Sequence, residues 1–238
     1  MIRAVIFDIY KTLLEVLPPP SDAQERWTAL CEKYADRTPL SLDGFAEKTE
    51  LLIQEHHAEA KAAGILHPEI YWPEIARGAW AELASLSKDQ LDDFLFEHAQ
   101  LQRTIRLMPG AAKVLIALSR IQMPLGIASN SQPYTLRELS AALQPHSLSM
   151  DLFHRDICFY SFEAGFSKPN PHVFRWLTAR LKFLGRLPEE TLMVGDRYDN
   201  DIVPAKAQGW QTWHLTETPD ALTKLGGNWA GLRHFLGC

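Results

Sequence analysis

Short apolar runs recur along the chain, and each is followed by a polar loop and then by a stretch with helical spacing. This alternation is typical of a parallel sheet whose strands are joined by crossover helices. It predicts five strands, at Ala4–Phe7, Leu125–Ala128, Ile157–Phe159, Leu192–Val194 and Thr212–Leu215. The first two strands are too far apart for one crossover connection, so the pattern also predicts an insertion between them.

The insertion has the periodicity of amphipathic helices. Its first helix carries Trp27, Leu30, Cys31 and Tyr34 at the spacing i, i+3, i+4 and i+7. Further helices are predicted from Ser41 to Gly64, from about Pro68, and after a capping box that Ser87 forms with Gln90. The predicted organisation is an α/β core of residues 1–16 and 106–238 that is interrupted by an all-α unit of residues 17–105.

Composition and charge exclude some classes of protein. The 238 residues are 46% hydrophobic and 22% charged, which fits a globular chain with an ample core. A net charge of −5 gives no electrostatic reason to expect a nucleic-acid or membrane partner, and Arg103 and Arg106 are expected to lie on the solvated surface. The N-terminal apolar run is too short for a signal peptide, and the three cysteines lack metal-site spacing. A cytoplasmic location is the expectation.

Polar residues follow the predicted strands at the point where each strand ends. Asp8 follows the first strand, Ser129 and Asn130 follow the second, and Asp196 comes just after the fourth. Lys168 lies a few residues beyond the third strand. In open α/β sheets the ligand lies beyond the carboxyl ends of the strands, so these side chains are expected to meet at one edge.

The residue types at this edge suit attack on a phosphoryl group. A carboxylate such as Asp8 can act as a nucleophile if the reacting centre is held close and in line. Lys168, the Ser129 hydroxyl and the backbone amides near Asn130 would stabilise the transferred group. A second carboxylate on another loop, Asp196, suits Mg²⁺, which prefers oxygen ligands.

Four motifs that carry these residues resemble those of the haloacid dehalogenase superfamily. They are "FDIYKTL" around Asp8, "IASNS" around Ser129, "SFEAGFSKPNPHVF" around Lys168 and "VGDRYDND" around Asp196. The resemblance implies a three-layer Rossmann-like core with a parallel sheet, and it implies that the inserted helices form a cap.

The resemblance also implies a role for each site residue. Asp8 would be the nucleophile, and Asp8, the Tyr10 backbone carbonyl and Asp196 would bind Mg²⁺. The residues implied for catalysis are Asp8, Tyr10, Ser129 and Lys168; those implied for phosphate binding are Thr12, Ser129, Asn130 and Lys168; those implied to support the metal ligands are Asn200 and Asp201.

Tyr10 stands where phosphatases of this family carry a second aspartate as general acid and base. Such a group typically contributes ~10²–10⁴-fold to the rate, and a tyrosine, with a pKa of about 10, is a poor base near neutrality. A tyrosine at this position is what the 2-haloacid dehalogenases of the family carry. Lys11 replaces their glycine, however, and Asp196 brings in a second carboxylate. Like charges ~4 Å apart cost on the order of 4 kcal/mol unless a cation offsets them, which favours magnesium.

Three functions follow from these observations. The favoured one is a Mg²⁺-dependent, phosphatase-type hydrolase acting on a small phosphorylated metabolite. The first alternative is a metal-independent 2-haloacid dehalogenase with an ester intermediate at Asp8, and the second is a catalytically weak or inactive binding protein with this fold. The expected partner is a small-molecule substrate, and the chain is expected to be a monomer or a homodimer.

Overall fold

The computed structural model describes residues 1–35, 40–217 and 225–238. The strands are β1 (Ala4–Phe7), β2 (Leu14–Leu17), β3 (Thr104–Leu107), β4 (Leu125–Ser129), β5 (Phe153–Tyr160), β6 (Thr191–Gly195), β7 (Gln211–Leu215) and β8 (Gly226–Gly227). The helices are α1 (Ala23–Ala35), α2 (Leu42–Ala62), α3 (Trp72–Ala79), α4 (Lys88–Gln102), α5 (Ala111–Arg120), α6 (Pro133–Leu143), α7 (Ser161–Ala164), α8 (Pro171–Phe183), α9 (Val203–Ala207) and α10 (Trp229–Leu236).

Six strands form one sheet in the order β5-β4-β1-β6-β7-β8. Every neighbouring pair in it is parallel, which confirms the predicted parallel sheet. All five predicted strands are present. The third begins at Phe153 rather than Ile157 and is therefore longer than its apolar run. The two-residue β8 was not predicted, because its glycines carry no apolar pattern.

Helices cover both faces of this sheet and make it the middle of three layers. Successive residues of a strand point to opposite faces, and β1 is buried on both. Val5 and Phe7 pack into a cluster with residues of α5, α6 and α10. Ala4 and Ile6 pack into a second cluster with residues of α8 and α9. The predicted α/β core with a Rossmann-like arrangement is confirmed.

A two-stranded antiparallel ribbon leads from the core into the helical insertion. It pairs β2 with β3, with Leu14 opposite Leu107 and Leu17 opposite Thr104. Both predicted boundaries, after residue 16 and before residue 106, fall within this ribbon. The ribbon itself was not predicted, since its two strands are only four residues long and partly exposed.

Helices α1 to α4 of the insertion surround a hydrophobic cluster of their own. Trp27 lies within it, with ring centroids 5.1 Å from Phe45, 6.1 Å from Trp80 and 6.2 Å from Phe94. We call residues 17–105 the cap. In the part of the chain that the structure describes, no helix combines the length and apolar character needed to span a membrane.

The local signals for the cap helices were mostly correct. Ser41 caps α2 by accepting a hydrogen bond from the Gly44 amide, and Ser87 and Gln90 form the predicted capping box at α4. The third helix starts at Trp72 rather than near Pro68. Pro68 instead forms an isolated antiparallel bridge with Phe166 of the core. This tertiary contact keeps Pro68 out of the helix that the sequence pattern predicted to start there.

Candidate active site

The carboxyl ends of adjacent strands bring the predicted polar residues together. Strands β4, β1 and β6 are neighbours in the sheet, and they end at Ser129, before Asp8 and before Asp196, respectively. A cleft of about 490 Å³ lies at this edge. Its lining residues are Asp8, Tyr10, Lys11, Asn130, Lys168, Asp196, Arg197, Asn200 and Asp201.

Lys168 connects two carboxylates at the base of the cleft. Its Nζ lies 2.7 Å from Asp8 Oδ1 and 2.5 Å from Asp201 Oδ1, and all three side chains are largely buried. Asn130 fixes the backbone of this lysine, because its Oδ1 accepts from the Lys168 amide at 2.7 Å and its Nδ2 donates to the Lys168 carbonyl at 2.9 Å. The Asn130 side chain therefore positions Lys168. Phosphate binding by the backbone amides near Asn130 stays a prediction.

Asp201 is held from two sides by the loop after β6. Its Oδ1 accepts from Lys168, and its Oδ2 accepts from the Arg197 amide at 3.1 Å. Gly195 makes room for it: a Cβ on Gly195 would lie 2.3 Å from Asp201 Oδ2. Asn200 and Asp201 are buried in a single π-helical turn, Tyr198–Ile202, and both line the cleft.

Burial and charge shift the pKa values of these groups in a consistent way. Burial raises the pKa of Asp8 to about 7, with the Asp201 carboxylate adding to the rise and the Lys168 ammonium opposing it. Burial also raises the pKa of Asp196, Asp201 adds to that rise, and Lys168 and Lys11 oppose it. Burial alone would lower the pKa of Lys168, but Asp201 and Asp8 outweigh burial and raise it. The single positive charge of the Lys168 ammonium is thus too small to neutralise the carboxylates around it.

The donor set fits a divalent cation. Asp8, Asp196 and Asp201 each offer a carboxylate oxygen, and these three oxygens lie within 4.8 Å of one another. Oxygen ligands of this kind suit Mg²⁺, and a divalent cation would offset the charge that Lys168 leaves uncompensated. The family resemblance assigns the cation to Asp8, Asp196 and the Tyr10 carbonyl, and that assignment stays a prediction; Asp201 accepts a hydrogen bond from Lys168.

Two hydroxyls predicted to bind phosphate are buried without a hydrogen-bond partner among the described residues. They are Thr12 Oγ1 and Ser129 Oγ. A buried polar group left unpaired costs roughly 1–3 kcal/mol, so a ligand that reached either hydroxyl would recover that cost. Neither residue lines the cleft as it stands.

The hydroxyl of Tyr10 belongs to a buried network outside the carboxylate cluster. It donates to Glu138 Oε2 at 2.5 Å, lies 2.9 Å from Thr135 Oγ1 and accepts from Arg103 Nη2 at 2.8 Å. Burial raises the pKa of Tyr10 far above its ordinary value, with Arg103 opposing the rise and Glu138 adding to it. The hydroxyl therefore keeps its proton and offers no base to the reaction.

Arg103 was expected on the solvated surface, and that expectation was wrong. Its side chain is only 18% exposed and forms an ion pair with the fully buried Glu138. The guanidinium lies 4.8 Å from the centroid of the Tyr10 ring and 5.4 Å from that of Tyr134. Arg106, in contrast, is 61% exposed and pairs with Glu15, as a surface residue would.

A segment of the cap contacts the core loop that leads to Lys168. The Glu69 amide donates to the Gly165 carbonyl at 3.0 Å, and the Ser167 amide donates to the His67 carbonyl at 2.8 Å. The Glu69 carboxylate accepts from Ser161 at 2.7 Å and from Gln132 at 3.1 Å. These contacts join the cap to the loops that follow β4 and β5.

Sequence reasoning missed Glu69, Gln132 and Ser161, as well as Glu138. Each is a single polar residue within a helix or loop, and no spacing marks it as a member of a site. The one available signal was position, because Ser161 directly follows β5 and Gln132 lies on the short loop between β4 and α6. Glu138 lies on α6 and becomes significant only through its contact with Arg103, 35 residues away in the chain.

The chain is similar to known proteins in sequence and in fold. A family profile described as haloacid dehalogenase-like hydrolase matches residues 2–209. The glyceraldehyde 3-phosphate phosphatase of Pyrococcus abyssi is 36% identical over 108 residues, which are 45% of this chain and 42% of that protein. The chain thus matches less than half the length of this curated relative.

Solved structures share the fold at lower identity. A HAD phosphatase from Thermococcus onnurineus superimposes with a TM-score of 0.57 at 20% identity, covering 99% of this chain and 98% of that one. A 2-haloacid dehalogenase from Pseudomonas syringae gives a TM-score of 0.63 at 18% identity, covering 100% and 99%. Phosphatases and dehalogenases share this fold, so the residues of the site must distinguish the two reactions.

Proposed function

Because this chain belongs to the haloacid dehalogenase-like hydrolases, we propose that it is a phosphatase that transfers a phosphoryl group to Asp8 with the help of Mg²⁺. The observation that carries the proposal is the cluster of Asp8, Asp196 and Asp201 around one lysine. A dehalogenase that works without metal would use Asp8 as its nucleophile, but it gains nothing from the further carboxylate of Asp196 beside the carboxylate of its own substrate. A phosphatase uses the same carboxylates to hold a cation against the phosphate.

The reaction proceeds in two displacements at phosphorus. A carboxylate oxygen of Asp8 forms a bond to phosphorus while the bond from phosphorus to the leaving-group oxygen breaks. Water then attacks the aspartyl phosphate, releases inorganic phosphate, regenerates Asp8 and gives its proton to the solvent. Bound Mg²⁺ would supply positive charge to the phosphoryl oxygens and to the ionised form of Asp8.

The other residues stabilise the phosphoryl group and hold its position. The Lys168 ammonium, fixed by Asp201 and by the Asn130 side chain, offers positive charge next to the attacking carboxylate. The Ser129 and Thr12 hydroxyls are unpaired donors that a phosphoryl oxygen could accept from. Lys168 is fixed before substrate arrives, which lowers the reorganisation needed in the transition state.

The leaving group must depart with little help from Tyr10. Its hydroxyl is committed to Glu138, Thr135 and Arg103 and has a raised pKa. Substrates whose leaving groups need no protonation, such as acetyl phosphate and 4-nitrophenyl phosphate, are therefore expected to react fastest. Relatives are named for glyceraldehyde 3-phosphate, and that compound is the first metabolite to test.

The deciding experiment measures two products with and without Mg²⁺. We expect phosphate release from acetyl phosphate and 4-nitrophenyl phosphate that requires Mg²⁺ and is abolished in Asp8→Asn. Halide release from 2-chloropropionate in the presence of a chelator, without phosphate release, would instead establish the dehalogenase. Neither product, with magnesium binding retained, would establish a binding protein.

A further inference from the structure

The backbone of Lys11 adopts a conformation that favours glycine. Its φ is 58°, in the left-handed region, where a residue with a Cβ is strained by about 1–2 kcal/mol. The turn imposes this conformation, because the Lys11 amide donates to the Leu14 carbonyl at 2.6 Å and the Leu14 amide donates to the Ile9 carbonyl at 2.8 Å. The chain therefore keeps a lysine where the turn would be more stable with glycine.

Lys11 also lies where its charge can reach a substrate. It is exposed, it lines the cleft, and its ammonium acts on the neighbouring Asp196 carboxyl. Strained residues cluster at functional sites, so strain and position together favour a role in binding.

The other two cations of the cleft are already paired. Lys168 is held between Asp8 and Asp201, and Arg197 forms two hydrogen bonds with Asp199, at 3.2 and 2.7 Å. Across residues 1–35, 40–217 and 225–238, no carboxylate lies within ion-pair distance of the Lys11 ammonium. Among the cations that line the cleft in the described part of the chain, Lys11 is thus the one without a carboxylate partner.

We infer that Lys11 binds a second anionic group of the substrate, so that the preferred substrates are phosphorylated carboxylic acids rather than neutral phosphate esters. The inference rests on the proposed phosphatase activity and narrows its substrate class. The phosphoryl group would lie against Asp8 and Lys168, while the carboxylate of the leaving group would meet Lys11 at the exposed rim. Without that ammonium, the carboxylate would approach Asp196 and Asp201 uncompensated.

The test compares two substrates with the same three-carbon skeleton. 3-Phosphoglycerate carries a carboxylate where glyceraldehyde 3-phosphate carries an aldehyde, and 4-nitrophenyl phosphate reports on chemistry alone. In Lys11→Gly we expect kcat/KM for 3-phosphoglycerate to fall at least tenfold, mainly through KM. The values for the other two substrates should change less than threefold. Lys11→Arg should keep the preference, and Lys48→Met, which removes an exposed cap lysine, should match the wild type.

Glycine at position 11 removes the lysine charge without destabilising the fold. It suits the observed φ, so Lys11→Gly should melt at or above the temperature of the wild type, and an activity loss cannot then be attributed to unfolding. An equal loss on all three substrates would overturn the inference, because Lys11 would then act on the transferred phosphoryl group. No loss on any substrate would overturn it as well.

A binding measurement keeps this inference separate from the proposed activity. In Asp8→Asn with Mg²⁺, calorimetric titration with 3-phosphoglycerate should show an affinity at least tenfold weaker once Lys11→Gly is added. Absence of phosphate release from all three substrates would refute the proposed phosphatase, whereas equal affinities in the titration would refute the role of Lys11.

Discussion

The Tyr10 hydroxyl donates a hydrogen bond to the buried Glu138 carboxylate at 2.5 Å. Tyr10 lies on the loop of the nucleophile, and Glu138 lies on α6 and is paired with Arg103, which directly precedes the ribbon strand β3. Through Glu138 and Arg103, Tyr10 therefore joins the loop after β1 to the base of the cap. Because its hydroxyl is committed to these contacts, we expect Tyr10 to have a structural role rather than to transfer protons.

Tyr10→Phe tests this assignment. The variant keeps the ring under the Arg103 guanidinium and removes the hydroxyl that Glu138, Thr135 and Arg103 share. We expect the free energy of unfolding to fall by about 1–3 kcal/mol, because buried partners lose a hydrogen bond. The kcat for 4-nitrophenyl phosphate should stay within threefold of the wild type.

Tyr34→Phe is the matched control, since that hydroxyl bonds to the half-exposed Glu97 and should contribute little. Urea unfolding and steady-state kinetics provide the two measurements. A fall in kcat of a hundredfold with unchanged stability would mean that the Tyr10 hydroxyl takes part in the chemistry.

Lys168→Met should impair both catalysis and the metal-free fold. Removing the ammonium leaves Asp8 and Asp201 facing each other without a cation, a change that typically costs about 3–5 kcal/mol at buried sites. Phosphate release should fall by at least ~10²-fold. Because Mg²⁺ would then be the main source of positive charge, it should raise the melting temperature more in Lys168→Met than in the wild type. If Mg²⁺ raised the melting temperature equally in both proteins, Mg²⁺ and Lys168 would not be neutralising the same carboxylates.

The sheet and the position of Asp8 at its edge could be predicted from sequence because both depend on local patterns. A buried parallel strand such as β1 appears as an uninterrupted apolar run, and Asp8 is the first polar residue after it. The same reasoning placed Ser129 and Asp196 at the site edge.

The parts that could not be predicted depend on contacts across the chain. Arg103 looks like any surface arginine in sequence, and only the placement of β3 beside α6 brings it to Glu138. Pro68 and Glu69 read as the start of a helix, but their backbone pairs with the loop before Lys168. Hydrophobic periodicity contains no information about such pairings.

Gly195→Ala should disrupt the site through Asp201. The added methyl would lie 2.3 Å from Asp201 Oδ2, so the carboxylate that holds Lys168 must move. We expect at least a tenfold loss of kcat and about 1–3 kcal/mol of stability. Gly78→Ala on α3 is the control, because its methyl would meet only the flexible Leu52 side chain and a helical alanine is favourable. Loss of activity in both variants would contradict a specific effect at Asp201.

The stability of the cap should depend on pH through His98. This imidazole packs among the rings of Trp27, Phe45 and Phe94, and burial, with a further contribution from the Arg103 charge, lowers its pKa from 6.5 to about 4. Between those two values the unfolded chain binds a proton that the folded chain does not. The contribution of His98 is therefore fully present above pH 6.5, and it is lost as the pH falls towards 4, by up to about 3 kcal/mol.

His98→Leu should remove that dependence. Leucine cannot take up a proton, so the decline in the free energy of unfolding between pH 6.5 and 4 should be smaller in the variant than in the wild type by most of this amount. Urea titrations at a series of pH values measure the difference, and His154→Leu, which removes a histidine that is half-exposed, is the control. Its pH profile should follow the wild type, because this half-exposed side chain belongs to β5 of the core and not to the buried cluster of the cap. If the free energy of unfolding of His98→Leu changed with pH as it does in the wild type, protonation of His98 would not be the cause of the decline.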